Sequence, residues 1–231
     1  MKIPRTFISV AFIALLAGCA MQMQPEAASV RRIAVIEPQE PESYSADVSH
    51  PFGVLGRVAD TLRGRTLQSD AFTAAIKAQG FYIASRLGER TAQALRAQGY
   101  DVVLVRNAYR VRDGITHLDF DKSTVDALLT FDLDTVGFLA PRGDAPLQPA
   151  LAVAVSLDPT AMLEYVPFYK ARYMYGWEGH VGTWTHLPAP AQYTYRGHED
   201  LMARRAEAAQ VLHAGADAIA ARIGQDLARK R

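Results

Sequence analysis

Hydrophobic positions switch period several times along this chain, and the switches divide it into elements. Val30 to Ile36 (VRRIAVI) is a compact β-branched run closed by Glu37-Pro38, which predicts a buried strand. Pro38 to Gly53 is rich in Pro and turn residues and predicts a loop. From Val54 the period is helical: Val54, Leu55, Val58 and Leu62 share a face, with Arg57, Asp60 and Arg63 off it. A second helical stretch starts near Ser69-Asp70 and runs to Gly80. A third covers Phe81 to Gln98, with Gly99 at a C-cap position, and these two can also be read as one bent helix.

Tyr100 to Arg106 (YDVVLVR) reads as a strand, and Asn107 to Lys122 is polar with a turn at Asp113-Gly114. Asp126 to Ala140 alternates, with Leu129, Phe131 and Leu133 on one face and Thr130, Asp132 and Asp134 on the other. Ala150 to Leu157 alternates again, and Leu163 to Tyr175 is a Tyr-rich strand, so three consecutive strands predict an antiparallel meander. Gly176 to Gly197 has no clear period. His198 to Lys230 predicts one long helix with the stripe Leu201, Ala208, Leu212, Ile219, Ile223 and Leu227. The order implies an α/β (α+β) fold: a single mixed sheet of about five strands covered by helices, with a long C-terminal helix.

The start of the chain carries an address. Met1 to Arg5 is basic, and Phe7 to Ala17 is an uncharged apolar run of 11 residues. That is shorter than the roughly 20 residues a membrane-spanning helix needs, and it matches the apolar centre of a secretory signal. It ends in Leu16-Ala17-Gly18-Cys19, which resembles the lipobox of bacterial lipoproteins. The resemblance implies cleavage between Gly18 and Cys19, a diacylglyceryl thioether on Cys19 and an N-acyl chain such as palmitate. Several acyl chains, each methylene worth about 0.8 kcal/mol, make a stable anchor where one chain would not. Ala20 rather than Asp follows the Cys, which by the same resemblance implies the periplasmic face of the outer membrane. The expected organisation is a signal peptide over 1–18, a lipidated Cys and tether over 19–29, and one periplasmic domain over 30–231. Extended, residues 20–31 reach at most roughly 40 Å, which would keep that domain near the membrane.

Composition narrows the function classes. The chain has 25 Lys+Arg against 24 Asp+Glu, and Lys2 and Arg5 lie in the signal, so the remainder carries 23 bases against 24 acids. That balance argues against a nucleic-acid partner. One Cys excludes a disulfide framework, and lipidation would consume it. No G-x-S-x-G, S-x-x-K, H-E-x-x-H or P-loop motif is present, and no G-x-G-x-x-G follows a predicted strand. The expectation is therefore no enzymatic activity, no catalytic residue, no metal and no cofactor beyond the covalent lipid.

A lipobox, the early strand RRIAVIEP, the helix–Gly–strand ALRAQGYDVVLV, the strand DALLTFDLDTVGF and a closing helix resemble one fold group of envelope proteins. It includes the curli-secretion lipoprotein, the lipoprotein activator of penicillin-binding proteins and the amino-terminal domain of the Tol-system propeller protein. The resemblance covers about Val30 to Leu227 and lies in pattern rather than in an invariant motif. It implies a scaffold, an activator or a secretion component.

Candidate chemistry is sparse. Asp119, Asp121, Asp132 and Asp134 form i,i+2 pairs that suit a solvated strand face, or a hard cation. His180, His186 and His198 lie in or beside the long loop at spacings that match no compact zinc site. Tyr, Trp and Arg dominate binding hot spots, and they concentrate where the last strand meets the loop. The candidate partner-binding residues are Tyr169, Arg172, Tyr173, Trp177 and Trp184; the strand tyrosines equally suit packing under the closing helix. The leading expectation is an outer-membrane lipoprotein acting as an accessory or scaffold in envelope assembly, cell-wall synthesis or secretion, with an envelope protein partner. Two alternatives stay open: a homo-oligomeric secretion or export pore, and a metal-binding or hydrolytic periplasmic protein.

Overall fold

A computed structural model describes residues 29–48, 65–112, 115–141, 145–160, 166–178 and 183–228. The expected signal, Cys19, nearly all of the tether, the Val54–Leu62 helix, the Asp113-Gly114 turn and His180 lie outside those residues.

The elements in chain order are β1 (Arg32–Ile36), β2 (Ser45–Val48), α1 (Arg65–Lys77), α2 (Ile83–Ala97), β3 (Asp101–Val105), β4 (Tyr109–Arg112) and β5 (Ile115–Leu118). Then come β6 (Ala127–Ala140), β7 (Gln148–Pro159), β8 (Tyr169–Gly176), β9 (Thr185–Leu187), α3 (His198–Ala203) and α4 (Arg205–Asp226). Seven strands form one mixed sheet in the order β3-β1-β6-β7-β8-β9, with β2 also on β6, while β4 and β5 pair in a separate hairpin. The mixed sheet, its helical cover and the long C-terminal helix are as expected. The sheet has seven strands rather than about five because β2 and β9 are only 4 and 3 residues long. Strands that short carry no readable period.

The helix–Gly–strand unit forms for local reasons. Leu87, Leu95 and Ile83 recur at helical spacing and are fully buried. Gly99, at φ 86°, lets the chain leave the helix: its N–H donates to Arg96 O and the Tyr100 N–H to Leu95 O. Gly80, at φ 72°, ends α1 in the same way, so α1 and α2 are separate helices. At the start of α2, Tyr82 offers no side-chain cap. The Glu40 carboxylate, from the β1–β2 connection, takes its place by accepting from Ile83 N at 3.3 Å and Ala84 N at 2.9 Å. Burial raises the Glu40 pKa, while those two amides and Lys77 pull it back.

β3, β1 and the first half of β6 run parallel, whereas β6, β7 and β8 form the expected antiparallel meander. The register of β6 on β7 shifts between Leu133 and Thr135, which leaves Asp134 as the extra residue of a bulge. The inward residues accordingly change from odd numbers (Leu129, Phe131) to even ones (Val136, Phe138). The bulge also separates Asp132 from Asp134, which a regular strand would have put on one face.

The helices cover one face of the sheet. Tyr173, Leu212, Ile219 and Ile223 are fully buried where α4 meets β7 and β8. Arg86 of α2 clasps Asp217 of α4 with two contacts of 2.8 and 2.6 Å, which fixes the helices to one another. The closing helix is two helices, because the chain breaks at Arg204 (φ −103°, ψ 26°). On the other face, the β4–β5 hairpin seals a smaller cluster of Ala34, Ile36, Ala108, Val125 and Leu128. No helix among the described residues is long and apolar enough to cross a membrane.

Candidate functional site

Beyond the hairpin, the second face of β6, β7 and β8 is open. The register sets its rows: Thr130 of β6 lies beside Ser156 of β7 and Lys170 of β8, and Asp132 lies beside Ala154 and Arg172. Period-two alternation turns these side chains away from the helices, because their neighbours Phe131, Val155, Ala171 and Tyr173 are buried in the core. Thr183, Trp184 and Thr185 rise as a wall where β9 pairs in parallel with β8. His186 Nε2 lies 3.1 Å from Gly176 O and pins that wall to the end of β8. The open cleft so formed measures about 900 Å³.

Charge is distributed unevenly across it. Lys170 and Arg172 are exposed on the wall side, and neither pairs with a carboxylate among the described residues. The Arg172 guanidinium sits over the Trp184 ring, 5.6 Å from its centroid. Asp132 marks the opposite border, where the hairpin's Tyr109 stands close. Burial raises the Tyr109 pKa, and the Asp132 charge raises it further. Ser156 Oγ donates to the buried Asp158 carboxylate at 2.6 Å, so this hydroxyl is oriented.

The five candidate partner residues therefore separate. Arg172 and Trp184 come together in the cleft. Trp177 is half-buried just past the end of β8 and does not line the cleft; its indole N–H has no hydrogen-bond partner among the described residues. Tyr169 and Tyr173 lie on the other side of β8, 4% and 0% exposed beneath α4, where a partner at the surface does not reach them. Their hydroxyls touch each other and donate to Asp226 Oδ2 at 3.1 and 2.7 Å, while Arg222 Nε donates to the other oxygen of the same carboxylate at 2.8 Å. Burial, with the Asp226 charge, pushes both phenol pKa values far up, so both stay protonated donors. Residues Arg172 and Tyr173 are adjacent in a strand and must face opposite ways, a signal already present in the sequence. Thr130, Asp132, Ser156 and Lys170 join the site through the meander, whose outward positions share one face.

The arrangement is suited to binding. The described residues contain no group of three His, Cys, Asp or Glu side chains placed to hold a metal. Asp121 caps a short turn through the Ser123 N–H at 3.0 Å, and His198 Nδ1 is buried without a partner among the described residues. Gly18 and Cys19 lie outside the described residues.

No family model matches this chain, and no curated protein matches it. A solved structure with partial likeness is a point-variant PelC dodecamer from Paraburkholderia phytofirmans. It is 11% identical, covers 86% of this chain and 90% of that chain, and superposes with a TM-score of 0.38. A likeness of that size supports no inference about function.

Proposed function

We propose that this chain is a lipid-anchored envelope protein that works by binding rather than catalysis. In this reading Cys19 holds it at the periplasmic face of the outer membrane, and the open face of β6–β8 engages another envelope component. Such a protein serves assembly, cell-wall synthesis or secretion as an accessory. The observation that carries the reading is the one-sided cover of the sheet. Helices bury one face completely, while the other carries cations that pair with no carboxylate among the described residues, an indole beneath a guanidinium, and hydroxyls around a cleft of about 900 Å³. Surface loops and clefts with Trp and Arg are where binding energy concentrates. The Leu16–Cys19 sequence supports the anchor, and confinement to a membrane surface raises the effective concentration for a partner in the same membrane.

Two experiments test it. Cells making the protein are fed an alkynyl palmitate analogue. Label is expected on the wild type and absent from Cys19→Ser, which should move from the membrane to the soluble fraction. Cross-linking in cells, followed by extraction in mild detergent, is expected to capture an envelope component that Arg172→Ala with Trp184→Ala loses. An unlabelled, freely soluble wild type refutes the anchor. Capture that is unchanged in the double variant refutes the open face as the contact.

A further inference from the structure

We propose that the open cleft binds an acidic oligosaccharide, a chain of sugars carrying carboxylates. This rests on the reading of the open sheet face as the binding site.

Three features of the cleft point to that ligand class. The first is charge: Lys170 and Arg172 stand two residues apart on the same side of β8, both exposed and neither neutralised by a described carboxylate. Two such cations attract an anion and can form charge-assisted hydrogen bonds with it, Arg172 as a planar fork and Lys170 as a point charge. The second is the wall. Trp184 is held in place by the Arg172 guanidinium at 5.6 Å, and an indole beside hydrogen-bonding groups offers the apolar surface against which the C–H face of a sugar ring packs. Ser156, Thr130 and Thr185 supply hydroxyls along the same cleft.

The third feature separates a glycan from a peptide. Extended peptides gain most of their affinity from main-chain hydrogen bonds at a free strand edge. The floor of this cleft is the middle of the sheet, where β7 is paired on both sides along its length, by β6 and by β8. Its backbone is engaged, and the outward side chains on β7 are small: Ala154 and Ser156. Along β7 the floor therefore offers neither a strand edge nor deep apolar pockets for peptide anchors; the β8 edge from Tyr169 to Arg172, before the three residues that β9 pairs, is where a peptide strand would compete, and the polyglutamate arm of the test addresses it. A polyhydroxylated ligand needs only side-chain donors, acceptors and a stacking surface, and these are present. A volume of about 900 Å³ lies near the upper end of the roughly 300–1,000 Å³ of ligand clefts and leaves room for more than one ring.

The test uses the purified full-length protein in mild detergent, titrated with oligogalacturonate, with the neutral maltooligosaccharide of similar length and with a polyglutamate peptide. Trp184 is one of only 2 Trp residues in the chain, so an emission change that Trp184→Phe removes reports on this cleft. Oligogalacturonate is expected to change the emission saturably, and the apparent affinity should fall as salt is raised. Lys170→Gln with Arg172→Gln should bind roughly tenfold or more weakly. Trp184→Phe should remove most of the signal change, and Arg205→Ala, on the helical side, should change nothing. Melting temperatures equal to wild type show that the variants are folded. Equal affinity for the neutral sugar, or no loss in the double variant, overturns the proposal. Binding of polyglutamate with oligogalacturonate silent overturns it in favour of an acidic peptide. If no glycan binds while cross-linked capture still depends on Arg172 and Trp184, this inference fails and the proposed function stands. If capture is also independent of them, both fail.

Discussion

Two identical substitutions, Gly215→Ala in α4 and Gly88→Ala in α2, should shift stability in opposite directions. A Cβ at Gly215 would lie 2.6 Å from Tyr175 Cδ1 and 3.0 Å from Cε1 and Cγ. Carbon atoms pack favourably at about 3.5–4.0 Å, so the overlap is close to 1 Å. Tyr175 is 3% exposed on β8, and its ring has little room to retreat. Overpacking of this kind costs about 1–3 kcal/mol, against which a helix gains about 1 kcal/mol when Ala replaces Gly. The net expectation for Gly215→Ala is a loss of about 1 kcal/mol. At Gly88 the nearest atoms are Leu104 Cδ1 at 3.4 Å and Glu37 Cγ at 3.5 Å, which is ordinary contact. There the propensity gain should survive as about 0.5–1 kcal/mol of added stability. For a domain of this size each kcal/mol is about 2–4 °C in Tm, so the two variants should differ by several degrees. Circular dichroism at rising temperature, in one buffer and detergent, measures both. If Gly215→Ala stabilises as much as Gly88→Ala, α4 does not sit on Tyr175 as described, and the covered face of the sheet is misassigned.

Three further outcomes are expected. Ile219→Asp puts a carboxylate at a fully buried α4 position and should cost about 4 kcal/mol or more, read as loss of the cooperative thermal transition; a wild-type Tm would show the core face to be wrong. Asp226→Ala removes the acceptor of the Tyr169 and Tyr173 hydroxyls and should cost about 2–3 kcal/mol in urea unfolding. The same change should cost clearly less when both tyrosines are already Phe, and equal costs would mean that the hydroxyls are satisfied elsewhere. His213 stacks on Phe81 at 4.4 Å, and burial first, with Arg86 adding to it, lowers its pKa below the ordinary 6.5. The unfolded chain then takes the proton first, so this contribution is complete above pH 6.5 and is lost as the pH falls below it. The Tm decline between pH 7 and pH 5.5 should accordingly be shallower in His213→Gln than in wild type, and parallel declines would contradict it.

Much of the fold was legible because burial writes a period into a long element. The α2 stripe, the Gly99 stop and the alternation of β6, β7 and β8 each record a local relation between side-chain direction and the core. Even the β6 bulge left a trace, in the change from odd to even apolar positions after Leu133. The site was only half legible. Arg172 and Trp184 drew attention by residue type, and the structure brings them together at 5.6 Å. Tyr169 and Tyr173 lie on the other face of the strand that carries Arg172, in the packing beneath the closing helix that the sequence equally allows.

The sequence alone therefore determined the long strands, the long helices and which side of each long strand is apolar, since those properties depend on neighbours within a few residues. It also supplied the lipobox-like start, which needs no fold. Only tertiary structure decided the pairing of β2 and β9, the break at Arg204 and the gathering of Thr130, Asp132, Ser156 and Lys170 around one cleft. Strands of 3 or 4 residues are stabilised by the neighbour they pair with rather than by their own pattern. A cleft between strands exists only once register fixes which residues stand side by side. Which face stays open follows from where the helices pack, a contest settled over the whole chain.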